Sequence, residues 1–373
     1  MSHSEQSVHI GTPASSGQVI NSTLPGARLE RVGWKVFVWS IGIALVAATP
    51  LPWIPFASLK LAIVAVGFAL AALLLIGSWW RTSAQQGSIS LCRSLRAGRA
   101  YAAAIGFIPL AYIISYALST ANGSIGLLGA GSEVDTLFFV LLAYVGFVLS
   151  LAFVNSAARV RTLIKTMVIA IAVAIAFQYV SILLGGVLWA KSAFSDKTVN
   201  LIGKWNDLAM ATAFVALVSL VRAEFSKEVK RRCAIMRIIG LLLSGVLLSA
   251  ISFDLAWWFV GAGALVVAAI KFFNERAQRR AAMGVADAGT ASQHSGRAWY
   301  AYVAIVVSII FVIFGSSINS HLPSILSITS LEVRPSLSTT YGVARNVEDN
   351  ALHTLFGAGP NTFSAAWVHF KPI

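Results

Sequence analysis

Charge is what this chain of 373 residues has least of. Asp, Glu, Lys and Arg together make up 11% of it, where a soluble globular domain carries about 25%. So little charge cannot cover a water-facing surface, which excludes an ordinary soluble enzyme, a disordered scaffold and a small secreted domain. Cysteine is nearly absent as well. Two thiols, Cys92 and Cys233, cannot build a disulfide framework, and both fall in segments assigned below to the cytoplasmic side. The histidines have no metal-ligand spacing of the HExxH kind; His321, His353 and His369 read as surface residues, so no metal and no cofactor is expected.

What the chain does have is apolar length. It is 57% hydrophobic with a mean hydropathy of +0.78. A run of 17 or more apolar residues crosses roughly 30 Å of hydrocarbon at about 1.5 Å per residue. Nine such runs occur, at about 34–53, 59–80, 100–121, 134–154, 162–190, 205–222, 234–251, 254–272 and 299–318. They are continuous rather than alternating, and helices satisfy their own backbone groups in lipid, so a barrel of strands is the wrong architecture. The fold class expected is an all-α integral membrane protein, a polytopic bundle of about nine transmembrane helices. The first run is long and lacks a small-residue cleavage site, which makes it a signal anchor rather than a removed signal peptide.

Basic residues orient the bundle, because cytoplasmic loops retain them. Of the 28, 21 fall near the amino end, in 81–99, 155–165, 222–237 and 271–298; the opposite side holds only Lys60, Lys191, Lys197, Lys204, Arg334, Arg345 and Lys371. The amino terminus is therefore expected in the cytoplasm and the carboxyl-terminal segment on the outer side, with residues 1–33 a disordered tail, 34–318 the membrane domain, 281–297 a flexible cytoplasmic linker and 319–373 a tail polar enough to leave the membrane. A net charge of +14 would suggest nucleic acid in a soluble protein; here its placement makes it a topology signal touching anionic membrane lipid, with no nucleic-acid partner. Tryptophan fits the same frame. Trp34, Trp53, Trp79, Trp80, Trp189, Trp205, Trp257, Trp258 and Trp299 lie near proposed helix ends, where an indole favours the headgroup region.

A charge in mid-span is costly and usually functional, yet no Lys, Arg, Asp or Glu occupies a central position. The nearest polar candidates are Gln178 and Asn155, and Gln178 is expected to hydrogen-bond another helix. The polar residues that look purposeful gather instead on the outer side, in two places. One is Gly203-Lys204-Trp205-Asn206-Asp207-Leu208-Ala209, which opens the sixth span. There Asn206 or Asp207 would be the helix N-cap and Trp205 an interface anchor, while Lys204 could meet an anionic headgroup or diphosphate. The other is the polar tail: Arg334-Pro335-Ser336, a run from Thr339 to His353 compatible with an amphipathic helix, then Gly357-Ala358-Gly359-Pro360-Asn361-Thr362-Phe363 and Lys371-Pro372. The glycine string is a Gly-Pro turn and not a dinucleotide fingerprint, because Thr362 stands where a third glycine belongs and no βαβ pattern surrounds it.

Together these two segments resemble the O-antigen ligase and polymerase family of polytopic bacterial membrane proteins. Gly203, Asn206, Leu208 and Ala209 match one family segment; Arg334, Gly357, Gly359 and Phe363 match the other. The resemblance implies a glycosyltransferase of the cell envelope, in the bacterial inner membrane, with 319–373 the start of a large periplasmic loop. It would move a glycan from an undecaprenyl-diphosphate carrier to lipid A core, a polysaccharide or a protein hydroxyl at the periplasmic face. Arg334 and Lys204 would be the catalytic cations on the diphosphate, with Asn206, Arg345, Gly357, Gly359 and Asn361 in substrate binding. Family members carry arginines where this chain has Asn200 and Leu201, and where it has Ser252-Phe253-Asp254. Their candidate catalytic histidine follows the Gly-x-Gly turn later in the loop. His369 would serve only in an unusually short loop, so the resemblance implies an amino-terminal portion of a longer protein. A membrane transporter or lipid-linked-sugar flippase is the alternative, resting on hydrophobicity and span number alone.

Overall fold

The computed structural model describes residues 25–48, 56–86, 90–118, 123–129, 136–188, 197–226, 231–251, 253–283, 298–326, 337–347, 357 and 359–370. Among them every regular element is a helix. In order they are α1 (Pro25–Val46), α2 (Phe56–Gln86), α3 (Ser90–Leu118), α4 (Gly123–Leu128), α5 (Leu137–Phe153) and α6 (Ala157–Leu188), followed by α7 (Trp205–Phe225), α8 (Arg231–Ile251), α9 (Asp254–Met283), α10 (Trp299–Leu326), α11 (Leu337–Val347) and α12 (Phe363–Phe370). Each of the nine apolar runs overlaps one of these helices over its described residues. Five segments are long and apolar enough to cross a membrane, Ala57–Arg81, Gly98–Leu118, Ala157–Leu184, Trp205–Phe225 and Asp254–Ala277, and shorter apolar helices run over Leu137–Phe153, Ile235–Ile251 and Trp299–Gly315. The chain is a helical, multi-pass membrane protein.

The helices begin and stop for local reasons. Pro25 opens α1, where its missing N–H is no loss, and the Thr136 hydroxyl caps α5 by accepting from the Phe139 N–H at 3.3 Å. Boundaries differ from expectation in three places. Residues 25–33 of the expected disordered tail are helical, α10 continues to Leu326, and the tail helix begins at Leu337 rather than 339, its described part being Leu337–Val347. Residues 1–24, most of the 281–297 linker, Arg334, Trp53, Trp189 and His353 lie outside the described residues.

Side-chain contacts set the direction of neighbouring helices: Gly67 on Ser40 and Gly77 on Leu29 make α1 and α2 antiparallel, and Gly146 on Phe68 joins α5 to α2. Gly98 meets Leu151 and Gly106 meets Tyr144 between antiparallel α3 and α5. Two cores hold the bundle. The first joins α1, α2 and α5 through Trp34, Phe37, Phe68 and Phe153, whose rings lie 5.1 Å (Phe37–Phe68) and 5.8 Å (Phe37–Phe153) apart, within the range of favourable aromatic pairs. Small residues let these helices close up: a Cβ on Gly67 would stand 2.2 Å from Ser40 Cβ. The second core surrounds α7, which packs on α6, α8, α9 and α10 and buries Leu208, Ala209, Ala213, Val215, Ala216 and Leu220.

Burial corrects the aromatic belt. Trp34, Trp205 and Trp257 are 8%, 7% and 3% exposed, inside the protein, whereas Trp79, Trp80, Trp258 and Trp299 remain exposed. Trp257 stacks on Phe311 at 4.3 Å. Nearness to a helix end does not say which face a tryptophan occupies, and neighbouring helices claimed these three.

Several basic residues counted as lipid-facing topology signals also have protein partners. Arg159 pairs with Glu30 at 2.8 Å, lies over the Trp34 ring and donates to the Phe153 carbonyl, tying α6 to α1 and to the end of α5. Arg237 donates to the Arg222 carbonyl and the Ser226 hydroxyl. Lys271 of α9 pairs with Glu224 of α7, and Glu224 also accepts from the Ala301 N–H in the first turn of α10.

Candidate functional site at the Lys204 end of the bundle

The segment 197–204 leads into α7, and its backbone polar groups are consumed by three side chains. Asn200 is fully buried. Its Oδ1 accepts from the Ile202 and Gly203 N–H groups, both at 2.9 Å, and its Nδ2 donates to the Thr198 and Gly203 carbonyls at 3.2 and 3.1 Å. One short amide thus replaces a turn of secondary structure. Gly203 has φ of 144°, a backbone state that side chains other than glycine's rarely allow. Gln178 of α6, fully buried, donates to the Lys197 carbonyl at 2.7 Å. This corrects the interhelical bond expected of it: the partner is loop backbone, because a loop carbonyl near the bundle has a stronger need of a donor than a helix whose own ladder is complete.

Lys60 supplies the third hold. Its Nζ donates to the Leu201 carbonyl, to the Ile202 carbonyl at 2.8 Å and to the Leu45 carbonyl at 3.5 Å, while the Asp207 carboxylate attracts it across the start of α7. Sequence reasoning counted Lys60 only as an outer-side cation and Asn200 only as a departure from a family arginine. Lys60 had one usable signal, a lone lysine in an apolar helix start.

The start of α7 itself differs from expectation. Lys204 stands at the N-cap with no side-chain cap bond, and Asp207 lies in the first turn, so neither Asn206 nor Asp207 caps the helix. Asn206 is 8% exposed while Lys204 and Asp207 are exposed. Trp205 packs into the α7 core and anchors nothing at a lipid interface. The consequence is a cation at the end of a helix whose first N–H groups have no side-chain cap from that residue, and such an end favours anions.

The tail contributes a tight turn. Gly357, Gly359 and Asn361 have φ of 74°, 116° and 60°, so the two glycines are where a left-handed backbone requires them. Pro360 is buried, and Thr362 Oγ1 donates back to the Gly359 carbonyl at 2.8 Å just before α12. A Cβ on Gly357 would lie 3.9 Å from Ser115 Oγ. Ser115 is close to the carboxyl end of α3, which runs antiparallel to α5; α5 runs parallel to α2, since Gly146 meets Phe68 while Phe153 and Leu74 both meet Gly33, so Ser115 lies at the Lys60 end of α2. Arg345 is exposed on α11, a helix that packs on α12, and His369 is exposed on α12 beside Phe370.

The candidate residues are therefore gathered only in part. The Gly203–Ala209 segment and the Gly357–Phe363 turn share one end of the bundle, while Lys204 and Arg345 are exposed on separate helices, α7 and α11. Arg334 is outside them. Among the described residues no group of three His, Cys, Asp or Glu side chains could hold a metal ion. Compared with known proteins, the chain matches no family model, no curated protein and no solved structure.

Proposed function

We propose that the chain is an O-antigen ligase-like or polymerase-like glycosyltransferase of the bacterial inner membrane, with about nine spans, a cytoplasmic amino terminus and its site facing the periplasm. It transfers a glycan from undecaprenyl diphosphate to a lipid, polysaccharide or protein hydroxyl. The observation that carries this reading is that the two segments on which the resemblance rests, Gly203–Ala209 and Gly357–Phe363, belong to the same end of the bundle. That end is also the one with few basic residues, which by the positive-inside bias is the outer one.

The chemistry asked of the site is modest. Departure of a lipid diphosphate develops negative charge, and fixed cations lower its energy more than mobile ones because they need no reorganisation. Lys204 is the exposed cation at the head of a helix whose approach segment is immobilised; Arg334 is the guanidinium assigned to clamp phosphate oxygens in pairs. Asn206 and Arg345, with the turn of Gly357, Gly359 and Asn361, border the donor and acceptor.

The test is glycan transfer in membranes supplied with the undecaprenyl-diphosphate-linked donor. Lys204→Ala and Arg334→Ala should each lower product formation by about 10²–10³, the usual loss on removing one group that stabilises transition-state charge, with membrane insertion unchanged. Full product from both variants rejects the proposal. Movement of the lipid-linked sugar across vesicles with no new glycosidic bond rejects it in favour of a flippase.

A further inference from the structure

The segment before α7 is bound on one side by an amide and on the other by an ammonium group. Asn200 takes up the Ile202 and Gly203 N–H groups and the Thr198 and Gly203 carbonyls. What remains pointing the other way is a pair of consecutive carbonyls, Leu201 and Ile202, and both accept from Lys60. The third acceptor, Leu45, is the penultimate residue of α1, so its carbonyl is one of those a helix end leaves without an intrahelical donor. An ammonium has three N–H donors and no acceptor. Three carbonyls from two parts of the chain, 141 or more positions apart for the loop pair, match that inventory.

We infer that Lys60 is a positioning residue for anion binding: by fixing the Leu201 and Ile202 carbonyls to α1 and α2, it sets where Lys204 and the first turn of α7 stand. The inference rests on the proposed transferase reading for the identity of the anion, a lipid diphosphate. Lys60 donates these three bonds to backbone carbonyls and so does not itself touch substrate. Lys204 follows Ile202 by two residues, through Gly203, whose backbone is already committed to Asn200. Displacement of the 201–202 carbonyls is therefore transmitted directly to the Lys204 ammonium. Charge-assisted bonds are about twice as strong as neutral ones, which suits a lysine rather than a water or a serine to this task. Asp207, exposed in the first turn, keeps an opposite charge near Lys60 and leaves Lys204 as the cation directed outward.

Lys60→Met keeps the length of the stem and removes the donors; Lys60→Arg keeps a cation and several donors. With full-length protein in nanodiscs, hydrogen exchange across 197–204 should speed up by about tenfold or more in Lys60→Met, the scale expected when charge-assisted bonds to buried carbonyls are lost. Exchange in the other helices should stay at the wild-type rate, which separates loosening of the loop from misfolding. Binding of undecaprenyl diphosphate should weaken by about tenfold in the same variant, raising KM for the lipid-linked donor, and kcat should fall with it because a displaced Lys204 meets less of the charge that develops on the diphosphate. Lys60→Arg should recover most of both effects. Unchanged loop exchange in Lys60→Met overturns the inference, and so does a loosened loop with unchanged diphosphate affinity, which would make Lys60 structural only. If wild-type protein binds no undecaprenyl diphosphate, the transferase reading and the ligand assigned here fall together, while the exchange comparison separately shows whether Lys60 holds the loop.

Discussion

Glu224 and Lys271, 47 positions apart in the chain, form an ion pair of 2.5 Å between α7 and α9. The Glu224 side chain is only 2% exposed, and its second oxygen accepts from the Ala301 N–H at 3.0 Å. The pair is therefore a three-helix joint, since Ala301 lies in the first turn of α10. A buried carboxylate is tolerated there because it has a cation on one oxygen and a helix N-terminus on the other.

Removing one partner should be worse than removing both. Lys271→Met leaves an uncompensated carboxylate and should cost about 3–5 kcal/mol, whereas Glu224→Gln with Lys271→Met should recover most of that, because glutamine still accepts from Ala301. Unfolding of the purified protein in mixed micelles measures both; equal losses would show that the charge itself is not what matters.

The α1–α2 contact should be sensitive to a single methyl group. A Cβ on Gly67 would meet Ser40 Cβ at 2.2 Å, while Gly245 of α8 has nothing within 4 Å of the same position. Gly67→Ala should destabilise by about 1–3 kcal/mol through overpacking, and Gly245→Ala should be neutral or stabilise by up to about 1 kcal/mol through helix propensity. The same unfolding assay ranks them, and a neutral Gly67→Ala would show that the two helices do not approach so closely.

Tryptophan fluorescence in brominated lipid should divide the residues by burial rather than by position along a span. Replacing Trp80, 76% exposed, by phenylalanine should remove quenchable emission; replacing Trp257, 3% exposed, should remove emission that the lipid cannot quench. Equal quenching of both would contradict the packing of α9 against α10.

Asn200 should matter for the loop more than its small size suggests. Asn200→Ala strands the Ile202 and Gly203 N–H groups and should cost about 1–3 kcal/mol locally. Asn200→Asp, which keeps the acceptor and loses the donor, should fall between alanine and wild type. Amide exchange over 197–204 reads the order directly.

How much of this was legible in the sequence depends on whether a property is local. The described part of each apolar run is largely helical because apolar length and backbone self-satisfaction are properties of one segment. The tail turn was legible too, since Gly357, Gly359 and Pro360 carry their backbone preferences with them. Lys60 was not, because its partners at 201 and 202 are brought to it by the packing of α1, α2 and α6. Asn200 was hidden for a different reason: an asparagine in a loop is ordinary, and only its complete burial marks it as the group around which the loop folds.

The sequence by itself determined an all-helical, multi-pass membrane chain, with most of its basic residues gathered in a few short stretches. Tertiary structure alone decided which tryptophans face protein rather than lipid, which lysines hold backbone or carboxylate rather than headgroups, and that α7 is the most enclosed of the long spans. The reason is physical. Lipid tails and a protein interior are equally apolar, so hydrophobicity tells a segment to enter the membrane but not which face to turn inward; that choice is made by close packing and by polar groups finding partners far away in the chain.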